Sequence, residues 1–264
     1  MPALSELDES AWPRVNVLGV GITVLNLPLA VERICHAVSA RRKGYVCVTG
    51  VHGVMEAQYD LGLRRILNAA FLNTPDGMPM VWCGKMAGHR GMSRVYGPDL
   101  MLELAAVSVE RGLRHFFYGG ANGAAEELKR RLTARFPGLQ VVGTYEPPFR
   151  PLNPAEESQL STQVSLSQAD ILWVGLSTPK QEKFMAAYQG KLDVPIMIAV
   201  GAAFDFHSGR VKQAPRWIQR SGFEWLYRLS RDPKRLWKRY FKNNPRFLFR
   251  IACQSLGLRK YPLD

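Results

Sequence analysis

The sequence predicts an α/β fold in which helices flank a mostly parallel, Rossmann-like sheet, followed by a basic, aromatic-rich helical appendage. Short apolar segments typical of buried strands alternate with longer segments that have helical spacing of apolar residues. Turn-forming loops follow these segments. After about residue 215 the composition shifts to Trp, Arg and Lys. We therefore divide the chain into an N-terminal tail at 1–14, a core at 15–214 and an appendage at 215–264.

The first half of the core contains both kinds of signal. Strands are expected where apolar residues are continuous over a short run, and helices where they recur every three or four residues. In chain order we expect a β-rich run at Val15–Val24, a helix at Leu29–Ser39, a strand at Tyr45–Thr49, a helix at Val54–Leu67 and an apolar run at Ala70–Asn73. The turn Thr74-Pro75-Asp76-Gly77 ends this half.

The second half repeats the alternation. Proline fits the first position of a helix and glycine its end, which sets the bounds of the first helix here. The expected elements are a helix at Pro98–Gly112, strands at His115–Tyr118, Leu139–Tyr145, Ile171–Leu176 and Pro195–Val200, and helices at Ala124–Phe136 and from Pro179 to about Gly190. The proline-rich segment Pro147–Pro154 is expected to be a loop within the core.

Ligands of open parallel sheets bind outside the carboxyl ends of the strands. Five unusual loops are expected at those ends, at 49–53, 74–77, 119–123, 177–181 and 201–209. In the second of them, Asp76 would present a carboxylate at a strand end, where it could take a proton from a hydroxyl group, and Gly77 would let a substrate approach the backbone. An ordinary β-turn explains the same residues.

The other loops also have two interpretations. Gly119 and Gly120 either form a tight turn or expose N–H groups to a phosphate at the start of a helix. Thr178 and Gln181 fit a capping box, and Lys180 with Gln181 would place a charge and an amide at the ligand edge. Asp205 is either a structural hydrogen-bond acceptor or a ligand contact.

Several classes of site are missing from the sequence. It contains no C-x-x-C, no H-E-x-x-H, no P-loop and no D-x-D, and Val24 occupies the third position of an incomplete G-x-G-x-x-G. We therefore expect no metal site, no cofactor and catalysis without a metal ion. No apolar run approaches the roughly 18 residues of a membrane-spanning helix, so we expect a cytoplasmic protein.

The net charge of +13 is concentrated near the C-terminus. Residues 207–264 contain 15 Lys or Arg and 3 Asp or Glu. Aromatic residues interleave with these cations. Such a segment suits an anionic membrane surface, but single-stranded nucleic acid and an ordinary solvated basic helix face fit it as well.

Several distinctive motifs follow one another along the chain: Thr74-Pro75-Asp76-Gly77-Met78-Pro79 with Val81-Trp82, Tyr96-Gly97-Pro98-Asp99-Leu100, Phe117-Tyr118-Gly119-Gly120, Gly175 to Glu182, Gly201 to Gly209, Ala214-Pro215, Glu224 to Leu229, Pro233, Arg235 and Arg239-Tyr240. In this order they resemble the WecG/TagA/CpsF glycosyltransferases, glycosyltransferase family 26. The resemblance covers about residues 15–245. Thr49-Gly50-Val51 departs from the T-x-N that is frequent in the family.

The resemblance implies an inverting, metal-independent hexosyltransferase of bacterial surface polysaccharide synthesis. It would move a hexosyl or N-acetylhexosaminyl group from a nucleotide-diphosphate sugar, expected to be UDP-linked, to a polyprenyl-diphosphate-linked saccharide. Asp76 would be the general base. The predicted substrate-binding residues are Thr49, Gly77, Gly119, Gly120, Lys180, Gln181, Gly201, Asp205, Arg228, Arg235 and Arg239.

The resemblance also implies a location and partners. We expect a peripheral enzyme on the cytoplasmic face of the plasma membrane, bound to anionic lipid and not to nucleic acid, and we leave homo-oligomer formation open. The alternative is a non-catalytic nucleotide-sugar or nucleic-acid binding protein with a basic tail. A carboxylate at position 76 separates the two, because a protein that only binds has no need of a base there.

Overall fold

The computed structural model of the chain describes residues 12–263, except for the side chain at position 235. Its strands are β1 (Arg14–Val17), β2 (Val20–Thr23), β3 (Gly44–Thr49), β4 (Leu72–Pro75), β5 (Arg114–Gly119), β6 (Gln140–Tyr145), β7 (Ile171–Gly175) and β8 (Ile196–Ala199). Its helices are α1 (Leu27–Ser39), α2 (Val51–Glu56), α3 (Leu61–Ala69), α4 (Met78–Met86), α5 (Gly97–Arg111), α6 (Ala124–Arg135), α7 (Pro154–Ser167), α8 (Lys180–Tyr188), α9 (Ala203–His207), α10 (Arg216–Ser221), α11 (Glu224–Arg231) and α12 (Pro233–Ser255).

Six strands form one parallel sheet in the order β4-β3-β8-β7-β5-β6. This confirms the predicted α/β class. The β-rich run at the start of the core is a separate antiparallel hairpin of β1 and β2. Asn73 attaches the hairpin to the sheet, since its backbone N–H donates to Thr23 Oγ1 at 3.0 Å and its side-chain amide donates to the Gly21 carbonyl at 3.1 Å.

The central strands are buried on both faces, which explains why they are continuously apolar in sequence. Ile171 and Trp173 of β7 belong to one core cluster, whereas Leu172 and Val174 belong to the other, because alternate residues of a strand point to opposite faces. Trp173 also donates its indole N–H to His115 Nδ1 at 2.8 Å. Burial lowers the pKa of His115 to about 4, so this histidine is a neutral core residue.

Two expectations for the helices were wrong. The single helix at 54–67 is two helices, because Asp60 interrupts it and accepts a hydrogen bond from Leu63 N at the start of α3. The capping box at the start of α8 does not form. Pro179 precedes the helix, and the Thr178 hydroxyl donates to Glu182 at 2.9 Å instead of capping a backbone N–H. Helices α4 and α7 were not anticipated, and the expected loop at 201–209 contains the short helix α9.

The basic segment folds into α10, α11 and α12. Phe247 of α12 is buried in a core cluster, and Gln254 accepts from Leu18 N at 2.9 Å and donates to the Asn16 carbonyl at 2.8 Å. The last helix is therefore packed on the core, and the domain boundary near residue 215 stays a prediction. Across the described part of the chain, every helix is too short or too polar to cross a bilayer.

Candidate active site

A cavity of about 370 Å³ opens where β3 and β4 end, and α10–α12 cover it. The polar and aromatic residues that line it from the core are Thr49, His52, Asp76, Trp82, Arg94, Tyr96, Thr178 and Glu182. Those that line it from the basic helices include Gln219, Glu224, Trp225, Arg228, Arg239, Tyr240 and Asn243. Both parts of the chain therefore contribute to one site.

The backbone around Asp76 turns its side chain toward this cavity. Asp76 N donates to the Thr49 carbonyl at 3.0 Å, which continues the pairing of β3 with β4 by one residue. Gly77 then adopts φ +86°, a conformation that favours glycine, and α4 begins. The close approach also requires Gly50, because a Cβ there would lie 2.9 Å from the Asp76 carbonyl oxygen.

The environment of Asp76 makes it a stronger base than an ordinary aspartate. Burial raises its pKa to about 6. Arg94 opposes this shift, Glu224 adds to it, and Arg228 and Arg239 oppose it. At pH 7 the group is thus mostly ionised, yet its proton affinity is close to that needed for proton abstraction near neutrality.

Arg94 joins the core to the covering helices. Its guanidinium donates to Glu224 at 2.6 Å and lies 3.3 Å from the Gln219 side-chain oxygen. The same group is stacked 3.9 Å above the ring of Tyr96. The Tyr96 hydroxyl is buried and has no hydrogen-bond partner among the described residues.

Two further arginines reach the cavity from the covering helices. Arg228 of α11 lies 5.7 Å from the ring centre of Phe206, and Arg239 of α12 lies 6.0 Å from that of Tyr240. Guanidinium groups pair readily with phosphate oxygens, so the covering helices supply suitable charge for a diphosphate. The side chain of Arg235, also predicted here, lies outside the described part of the structure.

Neutral and acidic groups form another part of the lining. Glu182 is buried and accepts hydrogen bonds from Thr178 Oγ1 and from Gln181 Nε2, at 2.9 and 3.0 Å. Asn243 Nδ2 lies 3.2 Å from His52 Nδ1. Burial, aided by the charge of Arg239, lowers the pKa of His52 to about 4, so His52 is neutral at pH 7.

The structure thus places five of the predicted site residues around the cavity: Thr49, Asp76, Gly77, Arg228 and Arg239. The remaining described ones do not line it. Gln181 is buried beside the cavity, where it contacts Glu182, and Gly201 lies against Gln181. Lys180 is exposed, and Asp205 is half-buried in α9.

Gly119 and Gly120 have a packing role. A Cβ at position 119 would lie 2.6 Å from the Gly175 carbonyl oxygen, and one at position 120 would lie 2.8 Å from the Ala124 Cβ. The carboxylate of Glu146 accepts from Gly123 N and from Ala125 N at 3.0 and 3.1 Å. The start of α6 therefore already has an anion, and a phosphate contact from this turn stays a prediction.

Sequence reasoning gave no role to Arg94, His52, Glu182 or Glu224. Arg94 lies in a segment without regular structure between α4 and α5, and no local sequence pattern distinguishes it from the other arginines of the chain. Glu182 and Glu224 fall within segments that resemble the family, which was the available signal. Within residues 12–263, no three His, Cys, Asp or Glu side chains cluster as metal ligands would.

Comparison with known proteins gives a consistent result. The model of the glycosyl transferase WecG/TagA/CpsF family matches residues 15–261. A relative from Bacillus spizizenii (strain ATCC 23059 / NRRL B-14472 / W23) is 30% identical over 200 residues, which cover 75% of this chain and 76% of the relative. One from Bacillus subtilis (strain 168) is 29% identical over 174 residues, 66% of each chain. Both are named N-acetylglucosaminyldiphosphoundecaprenol N-acetyl-beta-D-mannosaminyltransferase. The chain therefore belongs to the WecG/TagA/CpsF family of glycosyltransferases.

Proposed function

We propose that this glycosyltransferase moves an N-acetylhexosaminyl group, N-acetylmannosamine in the first instance, from a UDP-sugar to a saccharide carried on polyprenyl diphosphate. The names of the two relatives support this choice of donor sugar and acceptor. The observation that carries the proposal is the placement of Asp76, with its raised pKa, in a cavity that three arginines also line.

Asp76 is the general base of the proposed reaction. It removes the proton from the acceptor hydroxyl, whose oxygen attacks the anomeric carbon of the donor sugar. The bond from that carbon to the diphosphate oxygen breaks on the opposite side, and the nucleotide diphosphate leaves with the electron pair. Because a single displacement occurs, the anomeric configuration inverts.

The negative charge that develops on the leaving group is met by arginine side chains. Arg94, Arg228 and Arg239 all line the cavity, and fixed charges placed where charge develops stabilise a transition state. This is the basis for proposing a metal-independent reaction. Arg235 remains a proposed contributor from the same helix as Arg239.

The basic helices provide a surface for the membrane. Exposed aromatic residues on them include Trp217, Trp237, Phe241 and Phe249, and Phe223 is exposed between α10 and α11. A second, shallow groove on α12 is formed by Trp237, Lys238, Phe241, Lys242, Pro245 and Arg246. Aromatic and cationic side chains together bind the interface of anionic bilayers, so we propose peripheral attachment to the cytoplasmic face.

The direct test is a transfer assay with a panel of nucleotide sugars and an N-acetylglucosaminyl diphosphate acceptor on a short polyprenyl chain. We expect a disaccharide product from UDP-N-acetylmannosamine with the wild-type protein and a rate lower by about 10² or more with Asp76→Asn. Binding of nucleotide sugar by both proteins, with transfer by neither, would favour the alternative of a non-catalytic binding protein.

A further inference from the structure

The two carboxyl oxygens of Glu182 differ in their hydrogen bonding. Oε1 accepts from Thr178 Oγ1 at 2.9 Å and from Gln181 Nε2 at 3.0 Å. Oε2 is buried, and no donor reaches it from any residue whose side chain the structure describes. Since a buried carboxylate oxygen without a donor is destabilising, its retention here calls for an explanation.

Glu182 is part of the cavity that contains Asp76. It lies in the first turn of α8, its side chain is 1% exposed, and it lines the cavity together with Thr178. Thr49, at the end of β3, lines the same cavity, and its hydroxyl also has no partner among the described residues. Two unpaired, buried polar atoms thus come from different elements that meet at one ligand cavity.

The charge of Glu182 limits what can bind beside it. Burial raises its pKa, while the hydrogen bonds from Gln181 and Thr178 and the charge of Arg239 oppose the shift. Two hydrogen bonds donated to Oε1 suit a carboxylate, and the free oxygen of a carboxylate is only an acceptor. A phosphate next to it would be repelled, so its neighbour is an uncharged group that carries an O–H or N–H.

We propose that Glu182 is a positioning residue that accepts, at Oε2, a hydrogen bond from a hydroxyl or amide N–H of a sugar ring held in the cavity. This rests on the function proposed above. Both the donor and the acceptor sugar carry such groups, and no bond forms or breaks at Glu182. The contact would fix the ring relative to Asp76, and a sugar with a differently oriented group would lose it.

The variant for testing this is Glu182→Gln. Its carbonyl oxygen can keep the two hydrogen bonds from Thr178 and Gln181, so that an NH2 donor replaces the free acceptor oxygen. The matched control is Glu157→Gln. Glu157 lies in α7 and accepts a hydrogen bond of 2.5 Å from the hydroxyl of Tyr188, which belongs to α8 like Glu182. Glu157 does not line the cavity.

Calorimetry provides the donor measurement without requiring transfer. If the contact is to the donor, Glu182→Gln weakens binding of UDP-N-acetylmannosamine about ten- to hundredfold and leaves binding of UDP alone within about twofold of wild type. If the contact is to the acceptor, donor binding is unchanged, and the KM for the acceptor rises by a similar factor. The control variant changes neither quantity.

Deoxy and N-deacetylated sugar analogues then identify the contacted group. For the analogue that lacks the contacted sugar group, wild type and Glu182→Gln have the same affinity or KM, because neither protein can form the hydrogen bond to that group. Should Glu182→Gln fail to fold, as judged by circular dichroism, Glu182→Asp takes its place, since the shorter side chain withdraws the oxygen while keeping the charge.

Three results would each overturn the proposal. In the first, a folded variant has the donor affinity and the acceptor KM of wild type. In the second, it binds UDP and UDP-sugar more weakly by the same factor; in the third, the effect of the variant and that of the missing sugar group are additive for every analogue. Failure of the proposed function is recognised separately. Wild type that binds UDP-sugar but forms no product contradicts the transfer reaction, while calorimetric titration of the donor and of the acceptor still decides the role of Glu182.

Discussion

The guanidinium of Arg94 donates a hydrogen bond of 2.6 Å to the carboxylate of Glu224, which joins a core loop to helix α11 over the cavity. Both side chains are largely buried, at 13% and 14% exposed. An ion pair that is shielded in this way is costly to break by removal of one partner. The ion pair also lies beside Asp76. The positive charge of Arg94 lowers the pKa of Asp76, and the negative charge of Glu224 raises it.

Glu224→Gln should therefore shift the pH dependence of transfer. The negative charge of Glu224 raises the pKa of Asp76, and its pairing with Arg94 offsets part of the positive charge that lowers it. Removing the glutamate charge lowers the pKa of Asp76, so the acid limb of kcat/KM moves to lower pH. The measurement is the pH profile of the variant, with Glu110→Gln, exposed on α5, as the control. An acid limb that moved to higher pH would contradict the claim that the charge of Glu224 raises the pKa of Asp76.

Asp76 itself should give wild type an acid limb near pH 6. The base acts in its ionised form, so activity is present above its pKa of about 6 and falls about tenfold per pH unit below it. Asp76→Asn should lose about 10² to 10⁴ in kcat while it keeps nucleotide binding, since the amide has the same shape but accepts no proton. A variant that retained wild-type turnover would show that another group is the base.

Chelation of divalent ions should leave transfer intact. The sequence has no D-x-D, and three arginines line the cavity where the diphosphate is proposed to lie. The measurement is the transfer rate in EDTA, with a magnesium-dependent enzyme in the same buffer as the control for chelation. Complete loss that magnesium or manganese restores would show that a metal ion neutralises the leaving group.

Gly119→Ala should destabilise the fold without a specific effect on the cavity. The glycine has φ +126°, and a Cβ would lie 2.6 Å from a backbone oxygen of β7, so we expect a loss of about 3 kcal/mol in the free energy of unfolding. Gly123→Ala is the matched control, because φ is +81° but nothing lies within 4 Å of the added methyl group. Unchanged stability of Gly119→Ala with weakened UDP binding would instead assign Gly119 to the ligand.

The sheet could be predicted from sequence because its strands carry their own signal. Residues 171–174 of β7 and 196–199 of β8 are apolar throughout and buried on both faces, and turn residues delimit them. The break between α2 and α3 was missed. The helical spacing of apolar residues continues through Asp60, whereas the structure has extended backbone at Asp60 and a hydrogen bond from Leu63 N at the start of a second helix.

The site was predictable to the extent that its residues lie in loops after strands. Asp76 follows β4 and Thr49 is the last residue of β3, and the parallel pairing of these two strands brings the positions together. Arg94 could not be assigned, since its role depends on Glu224, which is 130 residues away in sequence. At Gly119 and Gly120 the sequence leaves packing and phosphate binding open, because both favour the same residue type, and the phosphate contact stays a prediction.

The exposed face of α12 should bind anionic membranes. Trp237 and Phe241 are 50% and 67% exposed and lie beside Lys238 and Lys242. Each cation near an anionic surface contributes about 1 kcal/mol, and salt weakens this contribution. Aromatic side chains insert at the membrane interface, so the double variant Trp237→Ser/Phe241→Ser, which keeps every cation, should sediment less with phosphatidylglycerol vesicles than wild type does. Phe149→Ser is the matched control, because Phe149 is 92% exposed but lies in the loop before α7.

Transfer to a water-soluble acceptor that keeps the diphosphate separates membrane binding from catalysis. The aromatic variant should retain this activity, because its two residues do not line the catalytic cavity. Arg239→Gln, on the same helix, should lose it while still sedimenting with vesicles, because Arg239 lines the cavity beside Asp76. If both variants lost vesicle binding and transfer to the same extent, α12 would act as a single structural unit. Sedimentation of wild type that high salt does not reduce would show that insertion of the aromatic residues outweighs attraction between charges.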